Sequence, residues 1–288
     1  MKFVSFREKH HRPQPGVLVD GKWVYPISGV GLEFFDVPAA LAAGQPGLAK
    51  ISEFIEWAPR DKYYDLTSVQ LTAPIPKPSK LIFVGLNYRD HALETKAQIP
   101  STPTIFSKYS TAVIGPGEPI MLPKNSTQPD YEAEFAFVIG KGGRHIAAGD
   151  WREHVGGYTI VNDVSARDFQ MATSQWMMGK TFDTFAPMGP YIVTADEVPD
   201  PHTLSISLRI GAEVLQQSNT SELIFKIPEL VAYLSSVFTL EPGDVIATGT
   251  PAGVGFARKP PRWLQPGDEV RIRIEGLGEL VNPVIAEQ

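Results

Sequence analysis

The stretch PDYEAEFAFVIG, residues 129–140, constrains this chain more than any other. Read as a strand, it sets Tyr131, Ala133, Phe135, Phe137 and Ile139 on one face and Glu132, Glu134, Ala136 and Val138 on the other. Both faces then read as buried. Two glutamates share one of them, and a buried carboxylate is costly unless it is protonated, paired or bound to a metal.

The β signal around this strand dominates the chain beyond residue 80, in KLIFVGLN, TIFSKYS, GYTIVND, PYIVTADE, LSISLRIGAEVLQQS, DVIATGT and EVRIRIEGLGELVNPVIA. Helical segments are fewer. Asn87 is expected to cap a turn carrying YRDHALE, ARDFQMAT follows the strand ending at 163, and Pro228 suits the first turn of PELVAYLSSV. Two Pro-Gly turns, in LEPGDVI and LQPGDEVRI, each feed a strand. Ahead of these, KFVSF and GVLVDGKWVYPI read as strands with an Asp20-Gly21 hairpin. Residues 36–57 read as helix interrupted at Gln45-Pro46-Gly47, and TAPIPKPSK at 72–80 is a stiff connector. The expected architecture is α+β, mostly β: a small N-terminal α/β domain over 1–72 and a catalytic domain over 73–288.

Composition excludes several classes of function. The net charge of −6 is spread without long runs over 32 acids and 26 bases, so neither nucleic acid nor a membrane is an expected partner. The absence of cysteine removes disulfides, zinc-thiolate sites and cysteine nucleophiles together. The N-terminus carries no apolar core of signal-peptide length, and the expected location is cytoplasmic.

Glutamates at i and i+2 of a strand lie about 6 to 7 Å apart, close enough to bend toward one cation. Oxygen ligands suit Mg²⁺, Mn²⁺ or Ca²⁺, whereas the plain alternative is a solvated edge strand. Asp163 ends the apolar strand of GYTIVNDVSARDFQ, where it can cap the next helix or supply a third carboxylate. Arg167 and Gln170 share a helix face; the arginine can grip an organic acid's carboxylate or form a surface salt bridge.

His91 stands apart from the other histidines. His10, His11, His145 and His154 read as exposed, and His202 lies in a proline-rich loop. Glu94, three residues after His91, can accept its N–H, which is either the arrangement of a general base with its orienting group or an ordinary surface pair. Lys180, in MMGKTFDTFAPMGP, either snorkels to water or stabilises negative charge in a site. The loop IATGTPAGVGF lacks the spacing of a nucleotide-phosphate loop. It is expected to offer backbone N–H groups and the Thr250 hydroxyl to a small acid.

In order along the chain, GLNYRDHALE, DYEAEFAFVIGK, GYTIVNDVSARDFQ, GKTFDTFAPMGP and PGDVIATGTPAGVG resemble the fumarylacetoacetate hydrolase family over about residues 80–285. The likeness is to the branch with a small N-terminal domain that includes acylpyruvate hydrolases, oxaloacetate decarboxylases and isomerase/decarboxylases of aromatic catabolism. It implies a β-roll, a homodimer, and Mg²⁺ or Mn²⁺ on Glu132, Glu134 and Asp163. It also implies His91 and Glu94 as the water-activating pair, Lys180 as the charge-stabilising group, and Arg167, Gln170 and Thr250 as substrate contacts. The founding hydrolase has a further aspartate on its metal and a distant partner for its histidine; this chain follows the shorter pattern.

The expected reaction is hydrolysis of a C–C bond in a 2,4-dioxo acid of the acylpyruvate type, giving pyruvate and a carboxylic acid. The alternatives are decarboxylation of oxaloacetate, isomerisation or decarboxylation of a 2-hydroxydienoate, and a non-catalytic small-acid binding protein on the same scaffold.

Overall fold

Residue-level burial explains why the 129–140 stretch has no polar face. Every residue of strand Ala133–Ile139 is buried, because the strand lies inside a twelve-stranded sheet with apolar layers on both sides. The computed structural model describes every residue except 9, 10, 30, 31, 60 and 61. The sheet runs through Tyr64–Asp65, Trp23–Pro26, Gln14–Val19, Lys2–Arg7, Ala186–Thr194, Val155–Asn162, Ala133–Ile139, Val245–Ala247, Leu81–Gly85 and Thr104–Ser107. A five-stranded sheet, in the order Ile120–Leu122, Gly278–Ala286, Glu269–Ile274, Ser205–Ile210 and Glu213–Asn219, packs across it. The fold is α+β and mostly β.

The alternation of side chains divides the core. Phe135, Phe137 and Ile139 join Ile206, Leu208, Ile272 and Leu280 of the smaller sheet, together with Leu230 and Leu234 of helix Ile227–Val237. Ala136 and Val138, on the opposite face, pack in a second core with Phe3, Val17, Leu41, Ile51, Met188 and Ile192. Glu132 and Glu134 belong to this second face by parity and sit at the strand's N-terminal end.

The first 72 residues join the large sheet through one edge. Strand Lys2–Arg7 pairs antiparallel with Ala186–Thr194, placing Phe3 opposite Ile192, and it also pairs with Gln14–Val19 and Gln70–Thr72. The expected hairpin forms, with Asp20 and Gly21 both at positive φ. In the connector, Ala73 and Ile75 are buried.

The helix break falls earlier than expected. Helix Val37–Ala42 ends before Gly44, at φ 58, and Gly44–Trp57 then carries Pro46 and Gly47 inside its first turn. Proline is tolerated there because the first helical N–H groups need no intrahelical partner. Asp36 caps the first helix by accepting from the Ala39 N–H at 2.8 Å. No helix among the described residues is long and apolar enough to cross a membrane.

Phe3 is fully buried in the core shared by the N-terminal strands and the central sheet. Phe3→Ala should cost about 3–5 kcal/mol, as large-to-small core substitutions do. Urea unfolding followed by fluorescence should show one transition moved as a whole; two separated transitions would show that residues 1–72 unfold on their own.

Candidate metal centre and active site

Antiparallel pairing brings the three candidate ligands together. Ala133 lies opposite Asn162 and Glu134 opposite Val161, so Asp163, one residue past strand Val155–Asn162, arrives beside Glu132. The Asp163 N–H donates to the Glu132 carbonyl at 2.9 Å, and the Asn162 side-chain oxygen accepts from the Glu132 N–H at 3.1 Å. Glu132, Glu134 and Asp163 each offer an oxygen within 4.8 Å of the others, and all three residues are buried. They line a cavity of about 290 Å³ with His91, Lys180 and Thr250. Larger depressions elsewhere, such as one of about 720 Å³ near Tyr191 and Arg273, contain no such group of carboxylates among the described residues.

Two cations compensate Glu132. Lys180, only 2 % exposed, does not snorkel: it donates to Glu132 Oε2 at 2.8 Å and to Asp163 Oδ2 at 2.6 Å. Arg167 places Nη2 2.6 Å from Glu132 Oε1 and 2.9 Å from Asp130 Oδ2, donates from Nε to Asp130 at 2.9 Å, and from Nη1 to Gln170 Oε1 at 2.8 Å. Nε and one Nη1 proton are therefore given to Asp130 and Gln170, and the Nη2 approaches to Glu132 and Asp130 are charge contacts without hydrogen-bond geometry, which holds the fork inside the protein. The side chain is neither on the surface nor free for a bidentate grip on a ligand.

Helix Arg89–Thr95 carries the His91 and Glu94 pair. Nδ1 of His91 lies 3.2 Å from Glu94 Oε2, and the other Glu94 oxygen accepts from the Gly253 N–H at 2.9 Å. An ionised carboxylate only accepts, so the contact keeps a proton on Nδ1 and leaves Nε2 as the basic nitrogen. Asn87 does not cap this helix. Its amide is buried, donating to the carbonyls of Phe225 at 3.0 Å and Thr248 at 2.8 Å and accepting from the Phe225 N–H at 2.7 Å. Both amide protons and the amide oxygen are thereby engaged with backbone, and Tyr88 stands at the N-cap instead.

The glycine-rich loop serves the site's carboxylates. Gly249 N–H donates to Glu134 at 2.8 Å, Gly253 N–H to Glu94, and Gly255 and Phe256 N–H to Asp130 at 2.7 and 3.0 Å. These are the donors the sequence left available for a small acid. Gly253 adopts φ 105, and a Cβ on Gly255 would collide with the Arg262 backbone and the Asp130 carboxylate. Thr250 accepts from Gln216 at 2.8 Å, which leaves its own proton for a cavity ligand.

Sequence reasoning passed over Asp130 and Lys108. Asp130 was legible only as an acid entering the buried strand; Lys108 sits between Ser107 and Tyr109, where nothing local marks burial. Among the other histidines, His11 and His145 are exposed as expected, and His10 lies outside the described residues. His154 is half-buried rather than exposed, with Nδ1 2.7 Å from the Lys141 carbonyl, and His202 accepts from the Ile227 N–H at 3.3 Å.

Charge divides the two glutamates. Burial raises the Glu132 carboxyl, but Lys180 and then Arg167 carry it well below the ordinary range. Burial raises Glu134, and Asp163 and Glu132 raise it further, so it stands well above the ordinary range with no ion-pair partner among the described residues. A buried three-carboxylate cluster whose third member lacks a cation fits a hard divalent ion, since its donor atoms are all oxygen.

In metal-free protein, the raised Glu134 carboxyl holds its proton more tightly folded than unfolded. Its contribution to stability is therefore fullest at low pH and is lost as pH rises from the ordinary glutamate range toward its raised value. Glu134→Gln should raise the Tm of metal-free protein at pH 8, with the gain shrinking toward pH 4, and should reduce retained metal at least tenfold by elemental analysis. A Tm difference independent of pH would contradict this assignment.

The model of the fumarylacetoacetate hydrolase C-terminal family matches residues 80–285. A mitochondrial oxaloacetate tautomerase of Rattus norvegicus is 50% identical over 220 residues, covering 76% of this chain and 70% of that protein. Among solved structures, fumarylacetoacetate hydrolase from Exiguobacterium antarcticum superposes with a TM-score of 0.84 at 36% identity, covering all of both chains. Maleylpyruvate hydrolase from Sphingobium sp. SYK-6, solved with manganese(II) and pyruvate, superposes with a TM-score of 0.82 at 31% identity, again over all of both chains. The ordered motifs, the two-sheet core and the buried carboxylate triad agree with these matches: the chain belongs to the fumarylacetoacetate hydrolase family.

Proposed function

We propose that this protein is a divalent-metal-dependent enzyme of short 2-oxo acids, and that interconversion of the keto and enol forms of oxaloacetate is its reaction. The observation that carries the reading is one cavity holding the three carboxylates, Lys180, and His91 with its Glu94 partner. The oxaloacetate tautomerase relatives favour a proton transfer over C–C cleavage. The neighbour solved with manganese(II) and pyruvate supports a second reading, hydrolysis of an acylpyruvate at the same site.

Mg²⁺ or Mn²⁺ on Glu132, Glu134 and Asp163 would supply Lewis-acid polarisation of the 2-oxo acid's carbonyl. His91, with Nδ1 held by Glu94, takes a proton from C3 of the acid at Nε2. Negative charge then grows on the carbonyl oxygen, where Lys180 has one N–H donor beyond the two given to Glu132 and Asp163. Return of the proton to that oxygen completes the enol. The remaining Nη1 proton of Arg167, the Gln170 amide and the Thr250 hydroxyl are the donors for the acid's carboxylate. In the hydrolytic reading, His91 takes its proton from water instead; the water oxygen attacks the distal carbonyl, the C–C bond breaks to give a carboxylic acid and the enolate of pyruvate, and His91 returns the proton to C3 to complete pyruvate.

A panel of oxaloacetate and acylpyruvates separates the readings. Loss of enol absorbance without pyruvate release is the expected result; pyruvate with a carboxylic acid marks the hydrolase, and CO₂ with pyruvate the decarboxylase. Saturable binding without turnover on every member would leave a small-acid binding protein. His91→Ala should lower turnover about 10²- to 10⁴-fold, the usual contribution of a general base, with metal content unchanged; full activity in that variant would defeat the assigned role.

A further inference from the structure

Lys108 takes no part in the chemistry above and does not line the cavity, yet it is 4 % exposed with its side chain wholly enclosed. Lysine is almost never buried without partners. Here Nζ donates to the carbonyl oxygens of Val164 at 2.9 Å and Phe185 at 2.5 Å, and the Phe83 ring closes another side at 5.2 Å. Nζ also lies 2.5 Å from Asp163 Oδ1. Oδ1 accepts no hydrogen bond, so this approach is a charge contact.

The two oxygens of Asp163 thus meet cations of different kinds. Oδ2 meets Lys180, which lines the cavity and is shared with Glu132. Oδ1 meets Lys108, which lies outside the cavity and is anchored to backbone. Glu132 repeats the arrangement: Oε1 lies against Arg167, itself held by Asp130 and Gln170, while Oε2 meets Lys180. Glu134 has one oxygen on the Gly249 N–H. Each carboxylate of the triad is therefore held at one oxygen by a group fixed to the protein frame.

We propose that Lys108 is a positioning residue for the metal: by holding Oδ1 it fixes the rotation of the Asp163 carboxylate and makes Oδ2 the oxygen presented to the cation. The inference rests on the reading of Glu132, Glu134 and Asp163 as metal ligands. Groups that orient a metal ligand from behind typically change metal affinity 10- to 100-fold when removed.

The test is calorimetric titration of the metal-free full chain with MnCl₂. Lys108→Met should bind Mn²⁺ 10- to 100-fold more weakly than the parent. Lys108→Gln keeps a donor for one carbonyl while removing the charge, covers a methionine variant that does not fold, and should show the same loss. Asp244→Asn, whose buried carboxylate pairs with half-buried Lys80 away from the cavity, is the control for lost stability alone and should stay within twofold of the parent. Affinity within twofold of the parent in a folded Lys108 variant would overturn the inference, as would equal weakening in Asp244→Asn or failure of both Lys108 variants to fold. A parent that takes up no Mn²⁺ would overturn the metal reading itself, and this inference with it.

Discussion

Four carboxylates, Asp130, Glu132, Glu134 and Asp163, form one buried cluster with three cations, Lys108, Arg167 and Lys180, and Glu132, Glu134, Asp163, Arg167 and Lys180 of this cluster line one small cavity. Much of the surrounding structure follows from that constraint. Removing a carboxylate from water is costly, and an ion pair in the interior offsets the cost only where geometry and additional hydrogen bonds are good. Each acid accordingly receives backbone N–H groups, a fixed cation, or both. Among the described residues Glu134 receives one N–H and no cation, so the balance is incomplete at the point where a divalent ion would complete it.

The scaffold exists to hold such a cluster still. Strand Ala133–Ile139 is buried on both faces and paired on both edges, which leaves its residues almost no freedom to relax. Aromatic side chains fill the side toward the smaller sheet, and small ones allow the N-terminal elements to approach the other. Glu134 lies in the first paired positions of this strand and Glu132 just ahead of it, with Asp163 one residue past the neighbouring strand. Their spacing therefore comes from the rigid register between Ala133–Ile139 and Val155–Asn162 rather than from flexible loops.

The turn that carries His91 and the glycine-rich loop are joined by hydrogen bonds. Asn87 binds the turn to the carbonyls of Phe225 and Thr248, and Glu94 returns a contact to Gly253. The same loop then reaches Asp130, which holds Arg167 against Glu132. A chain of hydrogen bonds and ion pairs thereby links Glu94, the partner of His91, to Glu132. Small shifts in the loop would be felt at both, because buried polar networks of this kind leave few alternative partners.

Local pattern was enough to read several things from the sequence. Alternation placed Glu132 and Glu134 on one face of a strand apolar on both sides, i,i+3 spacing paired His91 with Glu94, and Asp20-Gly21 marked the hairpin. Those properties depend only on backbone periodicity and residue chemistry, which act over a few positions. The partners of buried groups come from residues far apart in the chain, and only the tertiary structure decided them. Nothing near Lys108 announces Asp163, 55 positions away, and nothing in an amphipathic Arg167 shows that Asp130 and Glu132 would claim its fork. The glycine-rich loop illustrates the same division: its composition marked a tight turn with free N–H groups, but strand register decided that protein carboxylates would take them. Periodicity determines which face a side chain occupies, whereas the cost of burying charge is settled only when distant segments meet.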